Sequence, residues 1–61
     1  MTFEKKLEQL KTKQVTVHVV DGEEYAGTVF DVGPDWLDLD NGPDVGHSAI
    51  PFNAIVCVFF R

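Results

Sequence analysis

The sequence predicts a mostly β fold: a short N-terminal α-helix followed by a five-stranded, strongly bent antiparallel open barrel. Three observations predict it. The apolar period changes from helical to alternating at Gln14. Turn residues then punctuate the chain at Asp21-Gly22, Gly33-Pro34-Asp35 and Asn41 to Gly46. Gly27 sits mid-way along the second alternating run, where it lets a strand bend without a side-chain clash.

The helix is expected from about Phe3 to Lys11. Phe3, Leu7 and Leu10 stand at i, i+4 and i+7 and make one apolar stripe. Thr2 is the natural N-cap, and Glu4 and Lys11 suit the two ends of the helix dipole. Three apolar side chains do not support an isolated helix, so it must dock on the strands.

The barrel is expected over about 14–60. Val15, Val17 and Val19 alternate with Thr16 and His18 as a half-buried first strand. Asp21-Gly22 predicts a two-residue hairpin turn with both residues at positive φ. A second strand follows from Glu23 to Val32, with Tyr25, Gly27 and Val29 inward. Its alternation slips between Val29 and Val32, as at a bulge. Trp36 to Asp40 alternates strictly, with Leu37 and Leu39 on one face. His47 to Phe52 is a fourth strand that Pro51 confines to an edge or a strand end. Asn53-Ala54 is a link of about one 3₁₀ turn, and Ile55 to Phe60 is the last strand.

That last strand is apolar at every position, on both faces. An edge strand of a small monomeric barrel should alternate, and an uncovered hydrophobic edge invites aggregation. With 61 residues, the chain is too short to bury both faces in a larger core of its own. A second copy covering one face and pairing with the edge accounts for the pattern. Small domains need a disulfide, a metal or oligomerisation to supplement the core. Cys57 is the only cysteine, so no internal disulfide forms. Together with the lack of a signal-peptide pattern, it points to a reducing, cytoplasmic compartment. No apolar run approaches a membrane span, and no membrane partner is expected.

Charge is divided unevenly. The net charge is −5, and the bases are Lys5, Lys6, Lys11, Lys13 and Arg61. Between Gln14 and Phe60 there is no Lys or Arg but there are eight acids, including Asp38, Asp40 and Asp44. An acidic body is a poor general nucleic-acid surface, since phosphate contacts dominate such affinity. It also keeps a small protein soluble. The acids lack the spacing of a calcium loop, and His18, His47 and Cys57 make a poor zinc set. No nucleophile elbow, phosphate loop or metal cluster is present. No enzyme activity, metal or cofactor is expected.

The order of elements, with a bent second strand, is similar to that of the Sm-like (LSm) family and nearest to its bacterial Hfq-type members. Val17-His18-Val19-Val20-Asp21-Gly22-Glu23-Glu24-Tyr25-Ala26-Gly27-Thr28-Val29 resembles the first Sm motif, and Ile50-Pro51-Phe52-Asn53-Ala54-Ile55-Val56-Cys57-Val58 the second. The likeness covers nearly the whole chain. It implies an SH3-like open barrel and a closed homo-oligomeric ring of about five to seven subunits, fourth strand to fifth strand. The interface would use Ile50, Phe52, Ile55, Val56, Cys57, Val58, Phe59 and Phe60.

The resemblance also implies single-stranded RNA bound near the pore. Trp36 falls at the base-stacking position, although the acidic surroundings favour the other reading of it, as a side chain packed against a neighbour or the helix. Asp38 falls at the polar position after it, and Asn53 is the polar reader left in the second motif. Lys5, Lys6, Lys11 and Lys13 would steer the strand. The basic side chain that the family places in the second motif is replaced here by Pro51, Phe52 and Asn53. Two readings therefore stand: an RNA-binding ring, and a ring scaffold for another protein that has lost RNA readout. A monomeric SH3-like module is a third.

Overall fold

The computed structural model describes residues 2–61. Helix α1 (Phe3–Gln9) precedes β1 (Gln14–Val19), β2 (Glu24–Val32), β3 (Trp36–Asp40), β4 (His47–Pro51), a 3₁₀ turn (Phe52–Ala54) and β5 (Ile55–Phe60). All five strands form one open antiparallel sheet in the order β4-β3-β2-β1-β5. The two ends of the sheet are therefore β4 and β5, adjacent in sequence yet unpaired with each other.

The helix begins as its residues require. The Thr2 hydroxyl accepts a hydrogen bond from the Lys5 N–H at 3.1 Å, satisfying an N–H that the first turn leaves free. Regular helix stops at Gln9, two residues short of the expected end, because the chain must turn to enter β1. Leu7 and Leu10 are buried, whereas Phe3 stays exposed and sets its ring edge-on to Phe52, centroids 5.2 Å apart. Lys11 lies beyond the helix and pairs instead with Asp31 at 3.3 Å. Thr12 takes φ +70°, a left-handed conformation that is costly for a β-branched residue. Its N–H donates to the Val29 carbonyl at 2.9 Å, and the Val29 N–H donates to Lys13 at 3.1 Å. These bonds hold Thr12 in place against its preference. Thr12→Gly should relieve about 1–2 kcal/mol of strain and give back about 0.5–1 kcal/mol in unfolded-chain entropy. The variant is expected to melt a few degrees higher by thermal denaturation, and a lower melting point would refute the strain.

The β1–β2 connection is longer than the predicted pair. The Gly22 N–H donates to Val19 at 3.0 Å and the Val19 N–H to Glu23 at 3.1 Å, so Val20, Asp21 and Gly22 form the loop. Only Gly22 is at positive φ, +92°. This is the three-residue pattern of a turn followed by a left-handed glycine. Asp21 contributes through its carboxylate, which accepts the Glu23 N–H at 3.1 Å.

Along β2 the inward set is smaller than the alternation suggests. Val29 is buried, but Tyr25 is exposed. The predicted slip is present: Val29 pairs with Leu39 and Asp31 with Asp38, leaving Phe30 as the extra residue. Gly27 lies where β2 and β3 approach closely, and a Cβ there would collide with the Asp40 carbonyl.

The core comprises Leu7 and Leu10 of α1, Val15, Val17 and Val19 of β1, Val29 of β2, Leu37 and Leu39 of β3 and Ile50 of β4. Ile50 thus serves the core of its own chain, and its side chain is not part of a free surface as the interface set had it. On β5, Ile55 and Val58 pack partly against the core, while Val56, Phe59 and Phe60 are 64%, 56% and 46% exposed. The final strand is therefore satisfied within its own chain only in part.

Candidate functional site: the two sheet edges and the outer face

Strand pairing sorts the side chains. Leu37 and Leu39 face the core, so Trp36, Asp38 and Asp40 face outward. Their cross-strand partners Pro51, Ala49 and His47 share that outer face. At the other end of the sheet, Val15 and Val17 face inward, and Thr16 and His18 face outward with their β5 partners Phe59 and Cys57. A register shift between His18 and Val19 passes over Val56, which stands out into solvent. The outer face thus carries Phe59 beside one edge and His47 beside the other. An open groove runs between them over Ala26, Gly27 and Thr28.

Each edge holds a similar pair of rings. At β4, His47 meets Phe30 edge-on, centroids 4.8 Å apart, and its Nδ1 lies 2.8 Å from an Asp38 carboxylate oxygen. At β5, His18 meets Phe59 edge-on, also at 4.8 Å, and its Nε2 lies 3.2 Å from Glu24. The bulge in β2 is what places Phe30 over His47. Neither cluster is legible from sequence periodicity, because each depends on the strand register.

The hydrogen bond that His47 donates to the Asp38 carboxylate raises the His47 pKa above its ordinary value, with Asp38 and Asp40 charges adding to it and partial desolvation opposing it. A raised folded pKa stabilises the fold fully below the unfolded value of about 6.5, and the gain disappears as pH rises through the folded value. The stability difference between wild type and Asp38→Asn is therefore expected to shrink from pH 6 to pH 8 in paired thermal melts. A constant difference would show that the imidazolium is not involved.

The RNA-type residues divide into two groups. Trp36 and Asn53 come to the same end of the sheet: Trp36 pairs with Pro51, and the Phe52 N–H donates to Asp35 at 2.9 Å. The Trp36 indole lies against Gly33, where any Cβ would collide with it, and is half-buried. Asp38 is occupied by His47. Among the lysines, Lys5 and Lys13 are exposed, Lys11 is engaged by Asp31, and Lys6 places its ammonium 4.9 Å from the Phe60 ring centroid. The Val32 N–H, and after it the Lys11 ammonium, hold the Asp31 carboxyl below its ordinary pKa.

Among the described residues, no three His, Cys, Asp or Glu side chains gather to hold a metal ion. No helix among them is long and apolar enough to cross a membrane. A smaller groove of about 340 Å³ lies between β4 and the β1–β2 hairpin, lined in part by Val20, Tyr25, Ile50 and Pro51.

Fold and site together define a small, mostly β protein: one helix on an open five-stranded antiparallel sheet with two free edges. No family model, no curated protein and no solved structure matches the chain.

Proposed function

We propose that this chain is the subunit of an Sm-like homo-oligomeric ring and works as an assembly and interaction module, not as an enzyme. One observation carries the reading. The two free edges, β4 and β5, lie at opposite ends of a single sheet, and β5 leaves Val56, Phe59 and Phe60 exposed. An edge with unpaired backbone groups and exposed apolar side chains is a template for another strand. Because the two edges differ, β5 of one copy pairing with β4 of the next is a heterologous contact, which closes into a ring when the rotation permits. The groove between β4 and the β1–β2 hairpin offers the incoming strand an apolar wall at Val20, Tyr25 and Pro51.

A second reading adds single-stranded RNA as the ligand of the ring. It is favoured by the placement of Trp36 and Asn53 at the same end of the sheet, since an indole is a sequence-tolerant base platform. Assembly would multiply the exposed Lys5 and Lys13 around one side. With Lys11 and Asp38 engaged within the chain, a protein with a basic surface is the better-matched partner for the acidic body.

Light scattering with and without short uridine- and adenine-rich RNAs tests both. The expected result is a mass several-fold above 6.8 kDa without RNA. RNA binding that falls steeply with salt and is lost in Trp36→Ala establishes the second reading. A mass of one subunit at micromolar concentration sinks the ring.

A further inference from the structure

We propose that, where copies associate, His47 on β4 of one copy packs against Phe59 on β5 of the next. The Phe30–His47 and His18–Phe59 pairs then join into a row of four rings across the seam. This rests on the edge-to-edge assembly proposed above and adds what that assembly does not specify: its register and the side chains that fix it.

In a sheet continued from one copy into the next, outward residues must meet outward residues. On β4 these are His47, Ala49 and Pro51, and on β5 they are Cys57 and Phe59. Two antiparallel registers satisfy this and keep most of both strands paired. One sets His47 opposite Phe59 and Ala49 opposite Cys57. The other sets Ala49 opposite Phe59 and Pro51 opposite Cys57. In the first, His47 and Phe59 are direct partners. In the second they are diagonal neighbours, about 7–8 Å apart and still within reach of aromatic side chains. Both registers therefore bring the two rings together.

Two further observations favour a second copy as the occupant. Each ring is already held edge-on by a partner within its own chain, so little rotamer freedom remains to be lost on contact. The edges are also complementary in charge. Arg61 directly follows β5, whereas His47 is paired with Asp40 and follows the turn that carries Asp44. In either register Arg61 arrives beside those carboxylates.

Cysteine cross-linking tests the contact. In a Cys57→Ser background, His47→Cys/Phe59→Cys and Ala49→Cys/Phe59→Cys are oxidised and run on denaturing gels. Directly opposed residues lie within disulfide range and diagonal ones do not, so one of the two is expected to give a covalent ladder and to name the register. If neither ladders while light scattering still finds a multimer, the proposed contact is overturned and the assembly stands. A single-subunit mass for the wild type removes both. His47→Ala and Phe59→Ala provide a second measurement, since both side chains are exposed and their loss spares the core. The double variant is expected to weaken association about 3–10-fold less than the two single effects multiplied, and strict additivity would count against contact.

Discussion

If copies join along β5 as proposed, Val56→Lys is expected to leave the chain folded and dissolve that assembly. The Val56 side chain is 64% exposed in the single chain, so exchanging it costs the fold within about 0.5 kcal/mol. At a seam along β5 the same side chain would be covered. Burying an unpaired ammonium there costs about 3 kcal/mol or more, roughly a hundred-fold in affinity per seam. The measurement is light scattering on wild type and variant at matched concentration, with circular dichroism to show that the sheet persists. A variant that keeps the wild-type multimer mass would place the contact surface somewhere other than the β5 edge.

Gly27→Ala is expected to destabilise the fold itself. The added methyl group would meet the Asp40 carbonyl oxygen and carbon. These are backbone atoms in paired strands, so no side chain can swing aside. Overpacking of this kind costs about 1–3 kcal/mol. At about 0.05–0.15 kcal/mol per residue, a chain of this length has only about 3–9 kcal/mol in total. A fall of roughly 10 °C or more in melting temperature is the expected outcome. Gly22→Ala is the control. Gly22 is at φ +92° with nothing within 4 Å of the added Cβ, so it bears conformational strain alone, about 1–2 kcal/mol. If Gly27→Ala melts no lower than Gly22→Ala, the close approach of β2 and β3 does not limit stability.

Both variants lie on the line between what periodicity reveals and what it does not. The alternation of Val15, Val17 and Val19 with polar residues located β1 and its core face. Leu37 and Leu39 did the same for β3. Pro51 marked the end of an edge strand, and the slip after Val29 marked the bulge. These signals are local: the side-chain direction of a strand reverses at every residue, so a half-buried face writes itself into the order of residues.

Tyr25 was misplaced by the same logic. It has the right parity for the core, but it lies near the hairpin end of β2, where no second layer covers it. The Asp21-Gly22 loop gained a residue because hydrogen bonding at Val19 and Glu23, not composition, set the closing pair. The Ile50 side chain, expected at an interface, is buried in the core of its own chain. The ring clusters at His47 and His18 join residues from three different strands or span a bulge, and no run of sequence contains them.

The order of residues alone determined that this chain is a helix followed by five strands, that its body is acidic, and that its last strand is greasier than one small sheet can use. These follow from short-range rules: the period of apolar residues, the φ demands of turns, and a count of charges. Only the tertiary structure decided that β4 and β5 end the sheet without pairing with each other, that Val56, Phe59 and Phe60 are the members of the last strand left exposed by their own chain, and that each edge presents an imidazole against an aromatic ring. Those facts depend on strand order and register, which arise from contacts between residues far apart in the chain.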